Sequence, residues 1–345
     1  MILFINLIHP NSLNQKTIYT QFSKISLVFK LESKKESHSS KIAIVGAGFV
    51  GSTSAYACLI EGAASEIALI DVNREKAEGE AMDLQHGLQF KPSTKISFGG
   101  DYSLCKDAKI VVITAGAHQK PGETRIDLVN KNSAIFKEMI PKITENNPDC
   151  ILLVVSNPLD VLTYLTLKYS KFPKHKVIGS GTILDTARFR YMLGQYFEVS
   201  PNSVHAYIMG EHGDSSFPVW STANIAGVSL NKFKKYNKKA MDKIYSETKN
   251  AAYEVIAKKG ATYYAIGLGV SKIVKAILSN QNEVLALSSY LSDYHGASDV
   301  CLSVPTIVNL DGIKEHIRMP LNFWERRQLR KSAGIIKKVV RDCKC

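Results

Sequence analysis

The chain has 345 residues, of which 45% are hydrophobic and 22% charged, as in a globular protein with room for two ordinary domains. No apolar run approaches the roughly 20 residues that cross a bilayer, which excludes an integral membrane protein and predicts no membrane partner. The net charge of +13 concentrates in residues 1–40, 232–239 and 325–345. We interpret these basic runs as solvated surfaces, so no nucleic-acid partner is predicted.

The six cysteines are scattered, and none forms a Cys-x-x-Cys pair. This pattern indicates reduced thiols in a reducing compartment and therefore a cytoplasmic location. It favours neither a disulfide framework nor a metal site, and no metal is predicted. The cysteines are Cys58, Cys105, Cys150, Cys301, Cys343 and Cys345.

Residues 1–40 differ from the rest of the chain because they are rich in Ser, Lys and Asn. We expect a disordered N-terminal extension, which a wrongly assigned start would also explain. The alternative is an organelle-targeting segment, since such segments are basic and poor in acids. The absence of arginine from these residues argues against targeting.

From Lys41 onward, short apolar runs alternate with helical patterns, which predicts an α/β fold with a Rossmann-type, doubly wound parallel sheet. After residue 178 the pattern changes to an α+β substrate (catalytic) domain. We therefore expect one domain over residues 41–178 and a second over 179–345. The predicted strands are Ile42–Val45, Ile67–Ile70, Ile110–Thr114, Ile151–Val155 and Ser203–Met209, and the later helices Thr182–Tyr196, Lys238–Lys258 and Trp324–Val340.

The first strand runs directly into Gly46-Ala47-Gly48-Phe49-Val50-Gly51, followed by a helix of small residues. In this context Gly46 permits a tight turn, Gly48 lets the backbone approach a pyrophosphate, and Gly51 lets helix and sheet pack closely. The free N–H groups and the dipole of the helix N-terminus favour phosphates. The pattern predicts a dinucleotide site.

Asp71 ends the second predicted strand, 20 residues after Gly51. A carboxylate there accepts hydrogen bonds from the adenosine ribose and repels the extra phosphate of NADP, so NAD is the expected cofactor. An ordinary acid at a strand end is the alternative. Asn157 follows the fourth predicted strand, at the edge where ligands bind, either as a turn residue or as a contact to nicotinamide or substrate.

His212, in Gly-Glu-His-Gly-Asp, is the best candidate for an acid/base residue because imidazole titrates near neutral pH. Asp185 is its candidate partner, which would fix the tautomer and favour the protonated ring. Arg188 lies on the same helical face and can grip a substrate carboxylate with two parallel hydrogen bonds. A plain i,i+3 salt bridge between Asp185 and Arg188 is the alternative.

Residues 115–125 form a polar segment punctuated by glycine and proline, which suits a mobile lid. Arg125, at its end, would enter the site on closure and polarise the substrate carbonyl. The alternative is a surface loop with a solvated arginine.

These motifs, in this order over about 300 residues, resemble the lactate/malate dehydrogenase family, specifically L-lactate dehydrogenases of bacterial type. The resemblance implies reversible hydride transfer between (S)-lactate and NAD+, giving pyruvate and NADH, as the last step of fermentative glycolysis. The matching segments are Gly-Ala-Gly-Phe-Val-Gly-Ser, Met-Asp-Leu-Gln-His-Gly, Gln-Lys-Pro-Gly-Glu-Thr-Arg, Ser-Asn-Pro-Leu-Asp, Gly-Ser-Gly-Thr-Ile-Leu-Asp-Thr-Ala-Arg and Gly-Glu-His-Gly-Asp-Ser.

The resemblance implies the same roles for His212, Asp185, Arg188 and Arg125 as the chemistry does. It also implies that Asn157 contacts substrate and nicotinamide, and that Thr262 and Ile266 line the site beside the substrate side chain and the nicotinamide ring. The predicted cofactor-binding set is Gly46, Gly48, Val50, Gly51, Asp71, Ala115, Gly116, Asn157 and Ile266.

Gln119 occupies the position where this family selects its substrate. Malate dehydrogenases carry arginine there, which pairs with the second carboxylate of oxaloacetate. A neutral glutamine leaves that carboxylate unpaired, at a cost on the order of 10²-fold in discrimination. Pyruvate is therefore the expected substrate, and malate dehydrogenase activity the less favoured alternative.

Arg190 and His205 match residues that bind fructose 1,6-bisphosphate between subunits in bacterial-type lactate dehydrogenases. Both also occur in relatives without this activation, so a role in holding a phosphate or an interface stays open. The resemblance implies a homotetramer. A non-catalytic protein on a retained scaffold is disfavoured because His212, Asp185 and Arg188 are all present, as is Arg125.

Overall fold

The computed structural model describes residues 40–91, 94–117 and 125–343, without the side chain of Arg125. The predicted extension over residues 1–40 therefore lies almost wholly outside the described residues. Within the described ranges, no helix is both long and apolar enough to span a membrane.

Among the described residues, the central sheet contains nine strands, and six of them are parallel in the order β3-β2-β1-β4-β5-β6. Burial on both faces explains their apolar runs, since helices cover both faces of such sheets. This confirms the predicted doubly wound fold. The parallel strands are β1 (Lys41–Val45), β2 (Glu66–Ile70), β3 (Lys95–Gly99), β4 (Ile110–Ile113), β5 (Ile151–Val154) and β6 (Val177–Gly179).

Three further strands join this sheet beyond β6, in antiparallel pairs. They are β12 (Glu283–Leu291), β13 (Val300–Asn309) and β14 (Gly312–His316). The second half of the chain thus extends the sheet of the first half. Two small sheets lie apart from it and contain β7 (Val204–His205), β8 (Ile208–Met209), β9 (Phe217–Pro218), β10 (Asn224–Ile225) and β11 (Val228–Ser229).

The helices alternate with the parallel strands and then dominate the second half. The three later helices that the sequence predicts are confirmed, each with ends within two residues. They are α1 (Phe49–Ile60), α2 (Arg74–His86), α3 (Arg125–Asn146), α4 (Leu159–Ser170), α5 (Ile183–Phe197), α6 (Lys238–Lys259), α7 (Tyr264–Leu278) and α8 (Phe323–Asp342). Short 3-10 turns are found at Gly87–Phe90, Tyr102–Cys105, Lys174–Lys176, Pro201–Ser203, Trp220–Thr222 and Leu230–Lys232.

The sequence prediction was wrong in two places. It missed β3, β6, the short strands β9, β10 and β11, and the three antiparallel strands β12, β13 and β14, so the strand ending at Ile113 is fourth rather than third. The single strand predicted over Ser203–Met209 is two separate strands, because Val204–His205 pairs with β10 whereas Ile208–Met209 pairs with β9.

Four cysteines, Cys58, Cys105, Cys150 and Cys301, are buried and free. Burial raises the pKa of the Cys58, Cys105 and Cys150 thiols to about 12, so they stay protonated. The expectation of reduced thiols fits these residues, whereas Cys343 is disulfide-bonded.

Candidate active site

The glycines after β1 form a turn that larger residues would obstruct. Gly46 has a φ of +104°, and a Cβ there would meet the backbone nitrogen of Ala115 at 2.6 Å. A Cβ on Gly51 would lie 1.8 Å from the carbonyl oxygen of Gly46. Both glycines are therefore required for the turn and for the close approach of α1 to the sheet.

Gly48 differs, because a Cβ there would meet nothing within 4 Å. It is the N-cap residue of α1, and no side chain caps the helix. The first turn of α1 contains no acid. Open space beside free N–H groups at a positive helix end fits a dinucleotide pyrophosphate.

Asp71 directly follows β2 and is held by two backbone groups. Its Oδ2 accepts a hydrogen bond from Ala47 N at 2.7 Å, and its Oδ1 accepts one from Asn73 N at 2.9 Å. The carboxylate is thereby fixed beside the glycine turn, where the ribose of NAD is expected.

A cavity of about 550 Å³ opens at the carboxyl ends of the parallel strands. It collects residues from distant parts of the sequence that were predicted to be catalytic or to bind substrate or cofactor. These are Val50, Gly116, Asn157, Asp185, Arg188, His212, Thr262 and Ile266. The strand ends that carry Gly46, Asp71 and Ala115 lie at the same edge of the sheet.

His212 and Asp185 form a close pair in this cavity. Nδ1 of His212 donates to Oδ2 of Asp185 at 2.6 Å, and Arg188 Nη1 lies 3.4 Å from Oδ1 of the same carboxylate. The helical pair of Asp185 and Arg188 is thus a salt bridge that also lines the cavity.

The charges of this cluster shift both members of the pair. Burial works to lower the pKa of His212, but the charge and hydrogen bond of Asp185 together with the charge of Asp160 raise that pKa above its usual value. Burial likewise works to raise the pKa of Asp185, and the charge and hydrogen bond of His212 hold it below its usual range. The geometry therefore favours an imidazolium that can give up its proton.

Asn157 is placed by a residue that sequence reasoning missed. Asn132, buried on α3, donates to the carbonyl oxygen of Asn157 at 2.7 Å and accepts from Ala117 N at 2.7 Å. It thereby ties the base of the predicted lid to the end of β5. A lone asparagine in a helical pattern gives no sequence signal for such a contact.

One wall of the cavity also escaped prediction. Residues of α6 at helical spacing form it, and this spacing is the signal that could have identified them. They are Tyr245, Thr248, Lys249, Ala252, Tyr253 and Ile256.

Besides Asp71, Ala115 and the glycines of the dinucleotide turn, four predicted residues are not brought into the cavity by the described structure. Gln119 lies outside the described residues, and Arg125 begins α3 without a described side chain. Arg190 and His205 lie elsewhere, near one another. Nε of Arg190 donates to the carbonyl oxygen of Ala206 at 2.8 Å, and His205 is exposed next to it in the chain.

Two family models match the chain. The lactate/malate dehydrogenase NAD binding domain matches residues 40–179, and the lactate/malate dehydrogenase alpha/beta C-terminal domain matches residues 182–344. The chain belongs to the lactate/malate dehydrogenase family. It is an NAD-dependent oxidoreductase of that family, which confirms the predicted cofactor and enzyme class.

Individual relatives agree with this assignment. The chain is 53% identical over 306 residues to the L-lactate dehydrogenase of Acetivibrio thermocellus, covering 87% of this chain and 96% of the relative. It is 53% identical over 302 residues to L-lactate dehydrogenase 1 of Clostridium acetobutylicum, covering 86% and 96%. A crystal structure of a lactate dehydrogenase from a deep-sea metagenome superposes with a TM-score of 0.86 at 44% identity, covering 88% of this chain and 99% of that one.

Proposed function

We propose that this member of the family catalyses reversible hydride transfer between (S)-lactate and NAD+, giving pyruvate and NADH, as the last step of fermentative glycolysis. One observation carries the proposal. The paired His212 and Asp185, with Arg188 beside them, share a cavity with Val50 of the dinucleotide turn and with Ile266. One cavity thus contains residues suited to acid/base chemistry, to binding a substrate carboxylate and to binding a dinucleotide.

In pyruvate reduction, Arg188 binds the substrate carboxylate and His212 gives its proton to the ketone oxygen. Asp185 accepts the hydrogen bond from Nδ1, so Nε2 is the nitrogen that exchanges the proton. NADH, when bound, supplies the hydride to the carbonyl carbon. His212 becomes neutral in this step and is reprotonated from solvent, and lactate oxidation reverses the sequence.

Other predicted residues complete the proposal. Arg125, on the lid, polarises the carbonyl, and Asn157 orients substrate and nicotinamide. Thr262 and Ile266 bound the pocket beside the substrate methyl group and the nicotinamide ring. Their positions on the cavity wall support these roles for Asn157, Thr262 and Ile266.

An NADH-oxidation assay tests the proposal directly. We expect turnover with pyruvate, slower turnover with 2-oxobutyrate and least with oxaloacetate. His212→Gln should lower kcat for pyruvate by about 10² or more while leaving NADH binding intact, because general acid catalysis contributes that much. Absence of pyruvate turnover, or a preference for oxaloacetate, would contradict the proposal.

Substrate choice rests on Gln119 and can be tested at that position. Gln119→Arg should shift the ratio of kcat/KM from pyruvate toward oxaloacetate by about 10²-fold, since an arginine pairs the second carboxylate. Gln119→Asn is the matched control, because it keeps a neutral amide and should not favour oxaloacetate. Steady-state kinetics of both variants on both substrates measure the shift, and an unchanged ratio counts against the assignment.

We also propose an anion site for fructose 1,6-bisphosphate at Arg190 and His205. Their proximity supports it, as does the stacking of the Arg190 guanidinium over the ring of Tyr207 at 4.8 Å, which fixes the side chain. The expected effect is a lower KM for pyruvate in the presence of the sugar bisphosphate, lost in Arg190→Gln. A KM that does not respond to the sugar bisphosphate overturns this part of the proposal.

A cytoplasmic homotetramer is proposed on two observations. Large apolar side chains on α6 and α7 are exposed in the single chain, among them Tyr253, Tyr264 and Leu268, and such patches suit subunit contacts. The four buried cysteines are free, which suits a reducing compartment, although Cys343 is disulfide-bonded. Light scattering coupled to size exclusion should give four times the mass of the chain.

A further inference from the structure

The last helix, α8, carries two polar residues on its buried face. Glu325 and Ser332 are both 0% exposed, and the rest of that face consists of Leu329, Ala333 and Ile336. Because the two polar residues are seven positions apart, their side chains project from the same side of the helix. A buried polar group is costly unless a hydrogen bond compensates it, so the partners of these side chains show which segment α8 holds.

Ser332 binds the loop that contains His212, on both sides of the histidine. Its Oγ donates to the carbonyl oxygen of Ser215 at 2.6 Å and accepts from the backbone N–H of Glu211 at 3.3 Å. It also lies 2.8 Å from Ser215 Oγ. Glu211 directly precedes His212, and Ser215 follows it by three residues. One hydroxyl on α8 is therefore joined to the backbone before and after the acid/base residue.

The two ends of this loop are also joined to each other. The carboxylate of Glu211 accepts hydrogen bonds from the backbone N–H of Ser215 at 3.2 Å and from the hydroxyl of the same residue. The helix α8 lies so close to the loop that a Cβ on Gly210 would come within 2.7 Å of Ser332 Oγ. A change at Ser332 is therefore transmitted to Glu211 and Ser215 together.

Glu325, the other buried polar residue of α8, holds the chain farther along. Its carboxylate accepts hydrogen bonds from Ser221 N at 3.0 Å and from Ser221 Oγ at 2.6 Å. It also accepts one from Asn322 N at 2.8 Å, as part of the capping box that begins the helix. Glu325 thus fixes the start of α8, and the helix can serve as a rigid support from which Ser332 reaches the residues beside His212.

We propose that Ser332 is a positioning residue for His212: its hydroxyl fixes the backbone on both sides of the histidine and so holds the imidazole where proton transfer requires it. The proposal rests on the proposed function, in which His212 gives its proton to pyruvate. A misplacement of about 1 Å can slow a reaction by about 10²-fold, so a hydroxyl outside the cavity can affect the rate. Binding of NADH and of the substrate carboxylate should depend little on Ser332, because the dinucleotide turn and Arg188 lie on other elements.

Ser332→Ala removes the hydroxyl and leaves a residue that a helix favours. The matched control is Ser170→Ala, at the end of α4. The Ser170 hydroxyl is also buried, but its hydrogen bonds stay within residues 167–172. Ser332→Cys keeps a weak donor in a side chain of similar size, so it should give an intermediate effect, and it takes the place of Ser332→Ala if that variant does not fold.

The test is the rate of a single turnover, followed by stopped-flow fluorescence with one equivalent of NADH bound and pyruvate saturating. In Ser332→Ala the rate constant should fall about tenfold, while the dissociation constant of NADH stays within about twofold of the wild-type value. A variant that is merely less stable binds less NADH and loses amplitude, whereas each folded molecule keeps its rate constant. Ser170→Ala should keep the wild-type rate constant.

An unchanged rate constant in Ser332→Ala overturns the proposal. An equal fall in Ser332→Ala and Ser170→Ala also overturns it, because that result indicates general damage to packing rather than loss of a specific contact.

Hydrogen exchange gives a second measurement that needs no turnover. The backbone amides of residues 210–216 should exchange faster in Ser332→Ala than in the wild-type protein, and at the wild-type rate in Ser170→Ala. If the wild-type protein does not turn over pyruvate, the proposed function fails. Hydrogen exchange then still decides whether Ser332 fixes the loop, and an unchanged exchange rate in Ser332→Ala shows that it does not.

Discussion

The pKa of His212 determines how the rates of pyruvate reduction and lactate oxidation change with pH. Burial alone would lower its pKa, but Asp185 and Asp160 together raise that pKa above the usual value of about 6.5. Pyruvate reduction needs the imidazolium, so kcat/KM for pyruvate should stay level through pH 6.5 and decline only as pH rises through the raised pKa. Lactate oxidation needs the neutral ring and should increase over the same interval.

Profiles of kcat/KM against pH in both directions measure this behaviour. Asp185→Asn removes a charge that raises the pKa of His212. The decline of pyruvate reduction and the rise of lactate oxidation should therefore both move to lower pH. If kcat/KM for pyruvate in the wild-type protein declines with a midpoint below pH 6.5, the pairing of His212 with Asp185 is contradicted.

Arg188 is the second residue whose role a single substitution separates. Arg188→Lys keeps the positive charge beside Asp185 but loses the planar fork that binds a carboxylate at two points. Hydrogen bonds to charged groups contribute about 1.5–3 kcal/mol, so KM for pyruvate should rise by about 10²-fold. Binding of NADH, followed by fluorescence, should not change. An unaltered KM would indicate that Arg188 forms only a salt bridge with Asp185 and does not bind the substrate carboxylate.

Sequence reasoning identified the residues that carry recognisable chemistry and missed those that only hold them. His212, Asp185 and Arg188 stand in distinctive motifs, and the structure brings them together. Asn132 has no such signal, because its contact to Asn157 joins positions 25 residues apart. Contacts of this kind depend on how the helices and strands pack, and a single sequence does not show that packing.

At the level of elements, the turn between β1 and α1 has the least tolerance for change. Gly51→Ala places a Cβ against the Gly46 carbonyl, and backbone atoms cannot move as a flexible side chain would. We expect a loss of about 3 kcal/mol in the free energy of unfolding and weaker NADH binding, because relief requires α1 to move away from the sheet.

Gly79→Ala is the matched control for this change. Gly79 lies inside α2, where a Cβ would meet nothing within 4 Å. Alanine in a helix interior is favoured over glycine by about 1 kcal/mol, so this variant should be more stable and bind NADH normally. Urea unfolding of both variants decides the matter, and equal effects would argue against a steric cause at Gly51.

The elements themselves differed in how well the sequence predicted them. Strands buried on both faces, such as β4 and β5, are continuous apolar runs and were located to within one residue. The strand β3, with the sequence Lys-Ile-Ser-Phe-Gly, has polar residues and an edge position, so its run is too short to distinguish from a loop. Prediction failed mainly where strands mix polar and apolar residues.

At the level of the whole molecule, the antiparallel strands share a core with the parallel ones. One buried cluster contains Val45 of β1, Val111 of β4, Leu302 of β13 and Leu329 of α8. The predicted division at residues 178 and 179 thus falls at a strand that lies inside the continuous sheet. The division remains a prediction about function, and the packing suggests that the two halves unfold together.

Leu302→Ala tests this cooperativity. Leu302 is fully buried, and truncation of a buried leucine costs about 2–5 kcal/mol through lost contacts and the cavity left behind. Because the core is shared, we expect a single unfolding transition, displaced to lower urea by the same amount in circular dichroism and in NADH fluorescence. Val228→Ala, at an exposed position of β11, is the control and should move neither curve. Two separate transitions, of which Leu302→Ala displaces only one, would show that the halves of the sheet unfold independently.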